Sequence, residues 1–444
     1  MNRGTSLMQK EIYQTNSKGH LTIGGVDALD LVEEFGSPLV VYDVASIRSQ
    51  IQAFQVAFAK NMIPAAVSYA SKAFSAIAIY QVVNEMHAHV DVVSGGELYT
   101  ALKAGFPMEK VSFHGNNKTL SELEMAVDNQ VGVIILDNFY EIQLLNEILK
   151  NRGNYIQKVM LRITPNVSAH THEFMQTGKA DSKFGFDIDS GQAAEAMKRV
   201  QANPQLELIG IHAHIGSQIM EVDGFELEIK HLMELVKQWS DQYHYQPKIL
   251  NLGGGFGIRY TREDDVLKPS DFVTAIASTL KSECKQLDLP IPSIWIEPGR
   301  SIVGAAGYNL YTVGSRKDIP GLPSYISVDG GMGDNIRPVL YQSKYEAVLA
   351  KNPNAIPVET VHLAGRYCES GDLLIVQQSL PTTHPGDILA ILSTGAYGYS
   401  MASNYNRVPR PAVVFAEDGK AQVVVQRETY DDLISRDCFF KEKH

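Results

Sequence analysis

Val67-Ser68-Tyr69-Ala70-Ser71-Lys72-Ala73 is a short apolar run, rich in small residues, that ends in a lysine. If that run is a strand of a barrel, Lys72 stands at the end where barrel enzymes do chemistry. An amine held in a partly dry pocket titrates low enough to attack carbonyls, and it can hold an aldehyde cofactor covalently. The bland alternative is a solvated surface charge, the commonest fate of a lysine.

Outward from Lys72, the chain from about residue 65 to 300 alternates short β-rich runs with longer amphipathic stretches, the pattern of parallel strands joined by crossover helices. The runs are Ala66 to Ser71, His89 to Ser94, Val111 to Gly115, Val131 to Asp137, Lys158 to Thr164, Leu206 to Ile215, Lys248 to Gly253 and Ser293 to Glu297. Tyr140 to Lys150, Gln192 to Gln201 and Phe225 to Gln242 repeat apolar residues at spacings of three and four, as helices do. Eight such units in about 250 residues predict an α/β fold, a (β/α)8 barrel. The strand ends carry Lys72, Ser94-Gly95-Gly96-Glu97, His114-Gly115-Asn116, Asp137-Asn138, Arg162, His214-Ile215-Gly216-Ser217, Gly253-Gly254-Gly255 and Glu297-Pro298-Gly299-Arg300.

After about Val303 the texture changes to strand-like runs separated by turns, with Asp418-Gly419 as a hairpin signal between the last two. The expected division is a loose leader over residues 1–19, a barrel over 45–303, and a mostly β domain built from 20–44 plus 304–444. Leu39-Val40-Val41-Tyr42 is the strand that the early segment lends to the β domain.

Composition narrows the function. A formal net charge of -11 with no Lys/Arg-rich run argues against a nucleic-acid partner. No stretch approaches the roughly 18 apolar residues that cross a bilayer, so no membrane partner is expected. Cys284, Cys368 and Cys438 are widely spaced and form no CxxC pair, which fits a reducing cytoplasm and no thiolate metal site.

Several motifs carry two readings. Gly253-Gly254-Gly255-Phe256-Gly257 can present successive N–H groups to an anion or can be a plain turn; loops after strands seven and eight of barrels favour phosphate. Glu297 either neutralises Arg300 or pairs with the ring nitrogen of a pyridoxal cofactor. His212 and His214 alternate on one strand and share a face. With His170-Thr171-His172 they raise a metal-dependent hydrolase carrying a carbamylated Lys72 as a rival, for which Asp137 is the one obvious carboxylate ligand. Cys368-Glu369-Ser370-Gly371-Asp372 reads as a turn with an inert thiol. Arg337-Pro338-Val339-Leu340-Tyr341 offers a guanidinium and a phenol to one carboxylate. Tyrosines such as those of Gly395-Ala396-Tyr397-Gly398-Tyr399 are more often core than ligand.

Taken together, Tyr69-Ala70-Ser71-Lys72-Ala73, Asp91-Val92-Val93-Ser94-Gly95-Gly96-Glu97, His212-Ala213-His214-Ile215-Gly216-Ser217-Gln218, Gly253-Gly254-Gly255 and Glu297-Pro298-Gly299-Arg300 resemble the fold-type III pyridoxal-phosphate enzymes, the alanine-racemase-like family. Ala169-His170-Thr171-His172, Gly178, Ser182-Lys183-Phe184-Gly185, Arg337-Pro338-Val339-Leu340-Tyr341, Cys368-Glu369-Ser370-Gly371-Asp372, Gly395-Ala396-Tyr397-Gly398, Asn404-Tyr405-Asn406 and Arg427-Glu428-Thr429 are similar to its diaminopimelate decarboxylase branch. The resemblance spans about residues 20 to 437, in order.

It implies pyridoxal 5'-phosphate as cofactor and decarboxylation of meso-diaminopimelate to L-lysine. Lys72 would hold the cofactor aldehyde, His214 would stack on the ring, and Glu297 would contact the ring nitrogen. Ser217, Gly254, Gly255 and Gly299 would hold the phosphate, and Tyr397 would reach cofactor and substrate from the β domain. Arg300, Arg337 and Tyr341 would bind the far carboxylate and Glu369 the far amino group. Cys368 and Lys72 would handle the proton. Cys368 and Glu369 would enter from the partner subunit of a homodimer with shared active sites. Rival readings are a related decarboxylase acting on another amino acid or a carrier-bound one, and a non-catalytic relative; the second would be expected to lose Lys72 or the substrate-binding residues, all of which are present.

Overall fold

Eight parallel strands close on themselves in a computed structural model that describes residues 13–165 and 182–440. They are β1 (Ala65–Ala70), β2 (His89–Val92), β3 (Val111–Phe113), β4 (Val133–Leu136), β5 (Gln157–Thr164), β6 (Leu206–His212), β7 (Ile249–Asn251) and β8 (Ser293–Ile296). Each pairs in parallel with the next, and Ile294, Trp295 and Ile296 pair with Ala65, Ala66 and Val67 to close the ring. The predicted (β/α)8 barrel is therefore the observed one.

The intervening helices form where the apolar spacing predicts them. Gln192–Gln201 buries Ala193, Ala196, Met197 and Val200 along one stripe. Phe139–Leu149 begins at Asn138, whose side-chain oxygen accepts from Glu141 N at 3.0 Å, an N-cap worth about 1 kcal/mol. Among the aromatic residues that pack this unit, Phe256 stands out. Its ring stacks on Phe225 at 4.8 Å and meets Phe272 edge-on at 5.3 Å, so the residue that ends the glycine run anchors that loop in the core.

This barrel unit consists of residues 46–305 and, returning from far along the chain, 395–400. The other unit holds 306–394 and the remaining terminal parts. It is β-rich, with Leu373–Leu380, Glu359–Ala364, Ser324–Val328, Gly307–Lys317, Leu39–Asp43, Ala412–Glu417 and Lys420–Val425 adjacent in that order. Leu39–Asp43 runs antiparallel to Gly307–Lys317 and parallel to Ala412–Glu417, as a strand of this sheet. Asp418 (φ 51°) and Gly419 (φ 76°) form the hairpin turn, the positive angles such a two-residue turn demands.

Of the expected loose leader, residues 1–12 lie outside the described residues, and residues 13–19 are not loose. Gln14–Thr15 pairs with Leu21–Ile23, Tyr13 is buried, and its hydroxyl donates to the Pro353 carbonyl at 2.9 Å. Backbone pairing and a buried ring order residues 13–19. Among the described residues, no helix is long and apolar enough to cross a membrane.

Candidate active site

The barrel unit holds a cavity of about 380 Å³ whose lining includes Lys72, Asp91, His114, Arg162, His212, His214, Glu297, Arg300 and Tyr397. Lys72 sits on the single turn Ser71–Ala73 that follows β1, and its side chain is solvent-accessible through the cavity while its amine is surrounded by protein. The Ala73 carbonyl accepts from Tyr397 N at 2.8 Å and from Ser400 Oγ at 3.0 Å. Those bonds make 395–400 part of the barrel unit, so Tyr397 does not come from the β domain as expected.

The protonation of Lys72 also departs from expectation. Burial pushes the amine down, but negative potential from Tyr397, Asp91 and Glu297 outweighs it and holds Lys72 above the usual lysine value, with Arg162 opposing. Burial raises the Asp91 carboxyl to about 6, against the pull of His114 and Lys72.

Glu297 follows β8 and is 6% exposed. Asn251 Nδ2 donates to its Oε1 at 2.7 Å, and His212 Nε2 meets its Oε2 at 3.1 Å. His114 Nε2 lies 2.9 Å from Oε1, off the line of an ideal hydrogen bond. Burial alone would raise this carboxyl; His114 and His212 instead hold it well below the usual carboxylate range. His212, desolvated, is itself pushed down to about 4 and so is a neutral imidazole that donates from Nε2. The partners of Glu297 are thus two imidazoles and an amide, and the alternative ion pair with Arg300 does not form.

The His-x-His metal pair does not form either. His212 turns to Glu297, while His214 Nδ1 accepts from Gly254 N at 3.2 Å. Among the described residues, the one group whose ligand atoms lie within 4.8 Å of one another is His114, His212 and Glu297. Asp137 is committed elsewhere, to Arg162 Nη1 at 3.4 Å and Gly185 N at 2.8 Å. His170, His172 and Gly178 lie outside the described residues.

Opposite the carboxylate, the loops after β6, β7 and β8 make a cradle of small residues. A side chain at Gly254 would meet the Glu297 carbonyl at 2.2 Å, and one at Gly255 (φ 101°) would meet the Gly216 carbonyl at 2.3 Å. Only glycine lets these strands of backbone approach so closely. Ile219 N donates to the Gly255 carbonyl at 2.8 Å and so stitches the loops together. Arg300 Nη2 donates to Ser217 Oγ at 2.9 Å, and a side chain at Gly299 would meet the Ala70 Cβ at 3.0 Å.

An amine, a buried ionised carboxylate, an imidazole and a small-residue cradle beside a hydroxyl together suit a flat pyridine that carries an aldehyde and a phosphate. Residues 44–304 match the family model for the pyridoxal-dependent decarboxylases, pyridoxal binding domain. A curated diaminopimelate decarboxylase from Bacillus subtilis is 53% identical over 426 residues, 96% of this chain and 97% of that one.

The chain belongs to the diaminopimelate decarboxylase family. A family member from Staphylococcus aureus is 45% identical across 95% of this chain and 98% of its own. The solved diaminopimelate decarboxylase of M. jannaschii in complex with L-lysine superposes with a TM-score of 0.89 at 33% identity, covering 97% of this chain and 98% of that one. That of Helicobacter pylori with L-lysine gives 0.83 at 29%, covering 92% and 98%.

The remaining residues expected from the diaminopimelate decarboxylase family lie in the β-rich unit. Arg337 is buried on the short helix Arg337–Tyr341, its guanidinium carbon 5.0 Å from the Tyr341 ring centroid. Cys368 and Glu369 are exposed on a turn pinned by buried Asp372, which accepts from Met332 N at 2.7 Å and Tyr367 N at 2.8 Å. In the single chain, the turn reading holds.

Sequence reasoning gave no role to Asp91, His114, Asn251 or Phe184. Phe184 lies 4.2 Å under the Arg162 guanidinium and lines the cavity with Lys183. The signal that was available was parity: Asn251 pairs with His212 in register, so both project to the same side of the barrel wall.

Proposed function

We propose that this chain decarboxylates meso-2,6-diaminopimelate to L-lysine and carbon dioxide, the last step of lysine biosynthesis, with pyridoxal 5'-phosphate as cofactor. The observation that carries the reading is the placement of solvent-accessible Lys72 and buried, ionised Glu297 on one cavity, in a chain 53% identical to a diaminopimelate decarboxylase.

The bound cofactor supplies an electron sink for the carbanion left by departing carbon dioxide. Lys72 would be the amine that holds the cofactor's aldehyde carbon. Glu297 would favour a proton on the ring nitrogen, because a fixed negative charge opposite an N–H favours the protonated form. His214 would stack on the ring, Ser217, Gly254, Gly255 and Gly299 would hold the phosphate, and Tyr397 would reach cofactor and substrate. Arg300, Arg337 and Tyr341 take the far carboxylate of the substrate, and Glu369 takes its far amino group. Cys368 and Lys72 handle the proton that replaces the carboxylate.

Exposed Cys368 and Glu369 suit a homodimer in which each subunit completes the other's site. A metabolite enzyme of this kind, with three unpaired cysteines, fits the cytoplasm.

The test is release of carbon dioxide and lysine from the meso isomer by protein supplied with pyridoxal phosphate, beside LL-diaminopimelate, ornithine and arginine. Turnover confined to the meso isomer is expected. A yellow, loaded protein that leaves it untouched would overturn the substrate and redirect it to carrier-bound or polyamine-type amino acids.

A further inference from the structure

We propose that His114 and His212 are paired positioning residues: they brace Glu297 from its two oxygens as a fixed, ionised acceptor and, through it, keep the cofactor's ring nitrogen protonated. The inference rests on the cofactor reading above and goes further, because it moves part of the control of that proton onto two side chains that the reading leaves idle.

A carboxylate this deeply buried ordinarily stays neutral, and a neutral one cannot favour a protonated nitrogen. Here each oxygen has a partner: Oε1 has Asn251 at 2.7 Å and His114 at 2.9 Å, and Oε2 has His212 at 3.1 Å. His114, His212 and Asn251 are 5%, 1% and 0% exposed, so solvent cannot substitute for them. The two rings also fix one another, meeting edge-on with centroids 4.9 Å apart. All three supports stand at or just beyond the ends of barrel strands, whose positions the closed sheet sets. Asn251 and His212 hydrogen-bond the two oxygens, and His114 adds a close polar contact at Oε1.

The experiment uses holoenzyme reconstituted with pyridoxal phosphate labelled with 15N in the ring, and reads the nitrogen chemical shift beside kcat and KM. His114→Leu, His212→Leu and the double variant are compared with His114→Gln and His212→Gln, whose amides can still donate. Wild type and the Gln variants should show a protonated nitrogen. The Leu variants should shift toward the unprotonated form and lose about 10–100-fold in kcat, as outer partners of a site commonly do, with KM little changed. Glu297→Gln is the control. If it leaves the nitrogen signal unmoved, the assignment of Glu297 to the ring fails. If it moves the signal while the Leu variants do not, the bracing role is overturned. The single variants decide the matter if the double variant fails to fold.

Discussion

The guanidinium carbon of Arg300 lies 4.9 Å from the ring centroid of Tyr397, and its Nη2 donates to Ser217 Oγ at 2.9 Å. At 6% exposure, this cation is held between an aromatic face and a hydroxyl. Arg300→Lys keeps the charge but loses the planar fork. Hydrogen bonds to charged groups are worth about 1.5–3 kcal/mol, so KM for meso-diaminopimelate should rise about 10–100-fold, with a smaller change in kcat. Steady-state kinetics with saturating cofactor checks this.

Lys72→Ala should abolish the covalent chromophore and turnover while leaving the fold intact, since the side chain is solvent-accessible and the residue lies on one short turn. An absorbance spectrum taken after cofactor addition and gel filtration, together with a thermal melt, separates the two effects.

Away from the cavity, Lys118 and Glu141 form a buried pair at 3.0 Å, with the amine also donating to the carbonyls of Gly115 and Ile135 at 2.7 Å. Removing one partner leaves a buried charge alone. Lys118→Met should cost about 3–5 kcal/mol, and adding Glu141→Gln should recover a large part of that. Urea unfolding of the two variants measures the difference.

Gly255→Ala places a methyl group 2.3 Å from the Gly216 carbonyl at a φ of 101°. The strain should cost about 1–3 kcal/mol or push the loop outward. Either way, cofactor affinity should fall, as equilibrium titration with pyridoxal phosphate would show.

The buried histidines should each subtract stability toward acid. Desolvation pushes His89 and His212 from 6.5 down to about 4, and it pushes His214 lower as well. As pH falls through 6.5 the unfolded chain takes up protons that the folded one refuses, so stability present above 6.5 is lost toward 4. Asp91, raised to about 6, and Asp334, raised to about 7, act in the opposite sense, as do the raised carboxyls of Glu228, Glu97 and Asp372, because the folded state takes those protons first. His89→Gln should remove that histidine's share of the loss near pH 5, up to about 1.4 kcal/mol per pH unit, measurable by urea unfolding of both proteins at several pH values.

The barrel was legible because its signals are local. Each strand is a short apolar run, and each strand end carries a polar or glycine residue whose meaning depends on position in the chain. Lys72, the glycine run and Glu297 could be placed for that reason. What joins His114 or Asn251 to Glu297 is the register of strands far apart in sequence, and no local pattern encodes register. The same limit explains Lys72. Its setting is decided by acids from β2, from the residue after β8 and from Tyr397, so a reading based on burial alone took the wrong direction. The sequence neighbours of Tyr397 lie in the β-rich unit, and two bonds to Ala73, from Tyr397 N and Ser400 Oγ, override that proximity.

The return of residues 395–400 to the barrel bears on how the protein can be dissected. A gene fragment covering the eight strands would encode Lys72 without the tyrosine and serine that clasp the turn it stands on. The barrel is topologically complete as a contiguous segment and chemically incomplete. Domain swaps among relatives would therefore have to carry this distant hexapeptide along with the strands it serves.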